Sequence, residues 1–321
     1  MRDLLLCFLP CFLACGSEPP EPSCPGGTDT SDLTPLAVAA PRCALTNAVL
    51  DVPYLPDEPF RVDLYRPATG SGPFRTIVWI HGGGWRNGDE DQVIYPSRML
   101  CHGWAIASVS YRLTPSGARF PAPLHDIKAA IRFLRANATT YDLDPDRFVA
   151  WGDSAGGHLA ALVGTSGGVP ELEDLTQGNA DQPSTVSAVV DFYGPSDLSQ
   201  LDAQLLAEGV CPESAAQFYL TDSPPSELLG CSVTDPACAG AVAAANPITY
   251  VDADDPPFLL LHGTHDCVAA RGQSRLLGDA LRAEGVCVSE RSVVDAEHGG
   301  LAWVSAPVQD TVAAFLDAVV P

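Results

Sequence analysis

Basic residues are scarce in this 321-residue chain: 17 Lys and Arg stand against 40 Asp and Glu, a formal net charge of −23. Nucleic-acid binding draws most of its affinity from Lys and Arg that displace counter-ions. The deficit therefore excludes a nucleic-acid partner and argues against anionic membranes and polyanionic substrates. A long apolar run is also missing, because the stretch Leu4 to Ala14 is too short to span a bilayer. No Cys-x-x-Cys pair or Cys/His grouping has the spacing of a zinc site. Neither the Walker pattern nor G-x-G-x-x-G opening a helix is present, which removes the common phosphate loops.

The chain does carry a G-x-S-x-G pentapeptide in a telling context. The apolar run Arg147 to Trp151 reads as a buried strand, Gly152-Asp153-Ser154-Ala155-Gly156-Gly157 follows, and His158 to Val163 reads as the start of a helix. Strand, tight turn and helix form a nucleophile elbow, which lifts a serine hydroxyl above a sheet. Small residues are needed at Gly152 and Gly156 because a side chain at either would strike the neighbouring strand or helix. Upstream, the strand Arg75 to Ile80 runs into His81-Gly82-Gly83-Gly84-Trp85. Such a turn can aim backbone N–H groups at one point. The expected oxyanion donors are the N–H groups of Gly83, Gly84 and Ala155.

A serine nucleophile needs a base, and the base needs an orienting acid. Pro257 to Leu261 is an apolar strand ending in His262-Gly263-Thr264-His265-Asp266, and Val288 to Val294 is another, ending in Asp295-Ala296-Glu297-His298. Both loops leave the strand-exit edge where such sheets place ligands. The order Ser154, Asp266, His298 is the one this elbow requires. Asp295 and Glu297 are rival orienting acids, but they leave little chain to wrap around the His298 ring. His81 is expected to shape the glycine turn, His158 to pack, and Asp153 to hold a structural hydrogen bond. His262 and His265 read as surface or hydrogen-bonding residues, and His102 and His125 lack a supporting pattern. Trp85 is placed equally well in a pocket wall or in the core.

Several motifs follow one another in order: HGGGW-x-x-G, Ser110-Tyr111-Arg112-Leu113, Phe120-Pro121-Ala122, Asp144-Pro145-Asp146-Arg147, GDSAGGH, Asp191-Phe192-Tyr193-Gly194-Pro195 and LLLHGTHD. Together they resemble the hormone-sensitive-lipase-like bacterial carboxylesterases, in particular the feruloyl-esterase-like group, over residues 45–321. The resemblance implies an α/β-hydrolase fold with an eight-stranded, mostly parallel sheet covered by helices on both faces. It also implies a small-molecule ester substrate cleaved through an acyl-enzyme, and no cofactor. Amide hydrolysis, as by a formamidase, and a catalytically silent binding module on the same fold are the alternatives.

The expected organisation has three parts. Residues 1–15 read as an export signal whose Phe12-Leu13-Ala14-Cys15-Gly16 resembles a lipobox, with Cys15 as lipid anchor; a plain secretory signal is the alternative. Residues 16–44, rich in Pro, Gly, Ser, Thr and acid, read as a flexible tether. Residues 45–321 form one catalytic domain with a Cys-rich excursion at 196–245. Within it, Phe60 to Tyr65 alternates like a half-exposed antiparallel edge strand.

Eleven cysteines suit an oxidising compartment better than the cytosol, so the protein is expected to be exported, anchored at the cell envelope or secreted. Cys267 follows the strand that carries the acid. Cys211, Cys231 and Cys238 lie in the excursion, which leaves from the same edge, whereas Cys101 and Cys287 precede their strands at the opposite edge. A bridge from Cys267 to one of the excursion cysteines is predicted.

Overall fold

A computed structural model describes residues 31–36, 39–40, 43–55, 59–218 and 220–321. The expected signal, with Cys15, and the first half of the expected tether lie outside the described residues. One sheet of eight strands organises the chain: β1 (Ala48–Pro53), β2 (Arg61–Tyr65), β3 (Phe74–Ile80), β4 (Ala105–Val109), β5 (Leu143–Asp153), β6 (Ala188–Phe192), β7 (Phe258–Gly263) and β8 (Val288–Val293). Their spatial order is β1-β2-β4-β3-β5-β6-β7-β8. β2 is antiparallel to both β1 and β4, and the pairings from β4 through β8 are parallel.

Strand periodicity splits the core in two. Val78, Ile80, Ala150 and Leu260 point into one buried cluster, while Ile77, Trp79, Val149, Trp151, Leu259 and Leu261 point into the other. That alternation with apolar residues on both faces is what a sheet covered on both sides demands. The helices are α1 (Ala122–Ala136), α2 (Ala138–Tyr141), α3 (Ala155–Thr165), α4 (Leu201–Glu208), α5 (Pro224–Leu229), α6 (Ala239–Ala245), α7 (Gly272–Ala283) and α8 (Ala306–Val319). α1 begins with proline in its first turn, where a missing N–H costs nothing. It buries Leu124, Ile127, Ile131 and Leu134 completely. α3, which starts at the elbow, is buried along its whole length, as its apolar composition requires. No helix among the described residues is long and apolar enough to cross a membrane.

Two expectations change. The strand at 61–65 is not an edge. β1 pairs outside it, and Val62, Asp63, Leu64 and Tyr65 are all buried. The outer strand has no alternating apolar signal, because Val49 and Leu50 both face solvent. Described parts of the expected tether are docked: Leu33 is buried, its N–H donates to Ser292 O at 2.7 Å, and Val294 N–H donates back to Leu33 O at 2.8 Å. Cys43 is bonded to Cys101 near the same end of the segment.

The predicted bridge is present, joining Cys211 of the excursion to Cys267 with Cα atoms 5.5 Å apart. Cys231 and Cys238 close a short loop within the excursion, and Cys287 is also disulfide-bonded. These disulfides suit an extracytoplasmic protein. The excursion folds as α4, α5 and α6 with short 3-10 turns between them, and it lies over the strand-exit edge.

Candidate active site

The elbow joins β5 to α3. Ser154 adopts φ 53° and ψ −120°, a sparsely populated conformation that costs about 1–3 kcal/mol and persists only where its surroundings enforce it. A Cβ at Gly152 would collide with the Gly156 carbonyl, and one at Gly156 with the Ile80 carbonyl on β3. Those two contacts explain the glycines and fix the serine beside the turn that follows β3.

Ser154 Oγ lies 2.7 Å from His298 Nε2, and His298 Nδ1 lies 2.7 Å from Asp266 Oδ2. A carboxylate only accepts, so Nδ1–H donates to Asp266 and Nε2 is left to accept from the serine hydroxyl. Asp266 is buried, and its Oδ1 accepts the N–H groups of Val268 at 2.8 Å and Ala269 at 2.9 Å. Burial pushes its pKa up, but hydrogen bonds from His262 and His298 and their charge outweigh burial and hold the carboxyl well below the usual range. The Cys211–Cys267 bridge sits one residue beyond this carboxylate. The His298 ring pairs with Asp266 and with neither the Asp295 nor the Glu297 carboxylate. The Asp295 carboxylate instead faces the exposed His265 ring at 3.5 Å, and Glu297 O accepts the Trp303 indole N–H at 3.1 Å.

The glycine turn stands opposite. Gly83 and Gly84 have φ of +104° and +62°, which favours glycine, and a Cβ on Gly83 would strike the Asn87 carbonyl. The N–H groups of Gly83, Gly84 and Ala155 have no protein acceptor among the described residues, and all three residues line the cavity that holds Ser154 and His298. Asp153 fastens the turn by accepting Gly82 N–H at 2.8 Å on Oδ1. Burial raises its pKa to about 6, against the pull of that N–H. His81 acts as expected: its Nδ1–H donates to Gly82 O at 2.8 Å, and its ring stacks on Tyr111 at 4.4 Å.

The cavity measures about 440 Å³, and much of its wall is apolar, from Trp85, Leu201, Phe218, Pro224 and Val268. Trp85 thus belongs to the wall and is nearly inaccessible besides. It meets the buried His158 ring edge-on at 5.2 Å, while His158 Nε2–H donates to Ala245 O at 2.7 Å and burial lowers its pKa to about 4. Arg86 links the glycine turn to α5 through Glu227 at 2.7 Å.

Two further residues join the site: Tyr193, which the sequence offered only inside a motif, and His262, whose hydrogen-bonding reading holds. Tyr193 has φ 47° and sets its ring 4.6 Å from that of His298. His262, at the end of β7, holds Ser274 Oγ at 2.8 Å and Ala269 O at 2.9 Å, and approaches Asp266 Oδ2 at 3.4 Å. Away from this edge, His125 Nε2 lies 3.4 Å from Glu171 O, and His102 ends a 3-10 turn before β4. The carboxylates of Asp51, Asp63 and Glu90 gather elsewhere, but Asp63 is already held by Asp51 N–H at 2.8 Å and by the Tyr65 hydroxyl at 3.1 Å.

Known proteins share this architecture. The BD-FAE family model matches residues 62–281. Esterase LipQ of Mycobacterium tuberculosis is 34% identical over 229 residues, 69% of this chain and 49% of that one. Carboxylesterase NlhH of the same species is 30% identical over 240 residues, 65% of this chain and 72% of its own. The chain spans about half the length of the first three curated relatives it matches, at 49%, 48% and 49%. Among solved structures, a truncated carbohydrate esterase from gut microbiota superposes with a TM-score of 0.75 at 27% identity, covering 85% of this chain and 96% of that one. A bifunctional GH43-CE protein of Bacteroides eggerthii gives the same TM-score of 0.75 at 30% identity, covering 87% of this chain and 39% of its own. With its α/β-hydrolase fold, the chain belongs to the BD-FAE family.

Proposed function

We propose that the protein is a serine carboxylesterase in which Ser154 is the nucleophile, His298 the base and Asp266 the orienting acid. The observation that carries this reading is the unbroken hydrogen-bonded line Asp266, His298, Ser154, with both contacts at 2.7 Å. The names of the esterase relatives support it.

In the first step Ser154 Oγ attacks the ester carbonyl carbon while His298 Nε2 takes its proton. Negative charge grows on the carbonyl oxygen, and the N–H groups of Gly83, Gly84 and Ala155 receive it. Each such donor is worth about 2.7–4 kcal/mol in comparable sites. The C–O bond to the alcohol then breaks, and His298 returns the proton to the departing oxygen. Water repeats the sequence on the acyl-enzyme, releasing the acid and restoring Ser154.

Residues 45–321 act as the catalytic domain, with the excursion as its cover. Export, with a leader over residues 1–15 and a lipid on Cys15, is consistent with the disulfides. Turnover of p-nitrophenyl acetate by the wild-type protein, abolished in Ser154→Ala, is the expected result. A variant that keeps its turnover would overturn the assignment.

A further inference from the structure

A second cavity, of about 530 Å³, lies beside the one that holds Ser154, and Tyr95 and Asp153 border both. Asp153 is held under the glycine turn by Gly82, so the Tyr95 ring is the partition between the two spaces. The ring is fixed on several sides. It meets Trp79 edge-on at 5.9 Å and Phe192 at 6.1 Å, and its hydroxyl, like that of Tyr193, lies beside Gly299.

The partition stands on a particular side of the reacting centre. Gly299 and Gly300 directly follow His298, and a Cβ on Gly299 would sit 3.4 Å from the Tyr95 hydroxyl. The alcohol oxygen of an ester must come within reach of His298 Nε2 to receive its proton. An alcohol half that lies against Gly299 therefore meets Tyr95, and Trp85, Phe218 and Pro224 are further walls of the same cavity. Beyond Tyr95 the second cavity offers Asp91, Gln92 and Ser97, with Ile94 and Leu45 partly exposed at its border.

Building on the esterase reading, we propose that Tyr95 is a specificity-determining residue. By closing the catalytic cavity off from its neighbour, it limits the size of the alcohol half of the ester. Removal of the ring joins the two spaces and admits a bulky neutral alcohol.

The test measures kcat/KM by proton release for two series: acetates of ethanol, benzyl alcohol and 2-naphthylmethanol, and ethyl esters of acetic, butyric and hexanoic acid. In Tyr95→Ala the ratio of naphthylmethyl to ethyl acetate rises about tenfold or more, while the ratios among the ethyl esters stay within about twofold of wild type. Tyr95→Phe keeps the ring and with it the wild-type ratios. Tyr95→Leu, a shorter apolar wall suited to the same packing, gives an intermediate alcohol ratio should the alanine variant fail to fold. An unchanged alcohol ratio in a folded Tyr95→Ala or Tyr95→Leu protein overturns the proposal, as does a shift confined to the acid series. If the wild-type protein hydrolyses none of these esters, the esterase reading itself falls. Hydrolysis with unaltered alcohol ratios removes only the role of Tyr95.

Discussion

Asp266 Oδ2 and His298 Nδ1 lie 2.7 Å apart, on loops that leave the neighbouring strands β7 and β8. The pairing fixes the imidazole tautomer in which Nε2 accepts the hydrogen bond of the Ser154 hydroxyl. In Asp266→Asn the charge is lost and the amide offers the ring a donor as readily as an acceptor. kcat should fall by about 10³–10⁴-fold with KM little changed. Steady-state kinetics on p-nitrophenyl acetate would check this, and a loss below tenfold would count against Asp266 as the orienting acid.

The bridge between Cys211 and Cys267 closes a separation of 56 positions. Chain-entropy arguments put its stabilisation at about 4 kcal/mol. Replacing both cysteines by serine should lower the denaturant midpoint accordingly. It should also reduce kcat at temperatures where the protein remains folded, because Asp266 is next to the released end. The Cys231–Cys238 bridge spans only 7 positions inside the excursion, and its removal should leave kcat nearly intact. Equal kinetic losses from the two double variants would contradict this division.

Asp191 supplies a pH prediction away from the reacting atoms. It is fully buried on β6, its Oδ1 accepts Gly194 N–H at 2.8 Å, and its Oδ2 has no partner among the described residues. Burial raises its pKa to about 6. A carboxyl raised on folding favours the folded state while protonated, so its contribution is full below about pH 4 and is lost as pH rises through 6. Asp191→Asn keeps the Gly194 contact without the charge. It should stabilise the protein by about 1–3 kcal/mol at pH 7.5 and by about a third as much at pH 4.5. Thermal unfolding at the two pH values decides the matter, and equal shifts at both would refute the buried-charge account.

Sequence made the site legible where the chemistry is written in short segments. Gly152 and Gly156 are dictated by contacts with the elbow's own helix and with β3, and the order of Ser154, Asp266 and His298 follows from the chain's path across the sheet. Cys267 could be matched to the excursion because both leave the same edge. The packing of Tyr193 on His298 and the approach of His262 to Asp266 could not be read this way. Tyr193 reaches His298 across the exit end of the intervening strand β7, and His262 turns back onto the loop and helix that follow its own strand, neither of which a run of apolar strand residues announces. The outer strand β1 was hidden for another reason, since its apolar residues face water. Leu33 docks on β8 from a segment whose Pro and acidic content suggested a free chain, because a single buried leucine and two backbone hydrogen bonds leave no periodic trace.

The sharpest test is covalent capture of the nucleophile. The protein is treated with a fluorophosphonate, and the modified residue is located by peptide mass mapping while residual esterase activity is followed. One phosphonyl group on the peptide containing Ser154, gained in proportion to the activity lost and absent from Ser154→Ala, is the predicted result. Inactivation with the label on another serine, or full activity after Ser154 is occupied, would contradict the account.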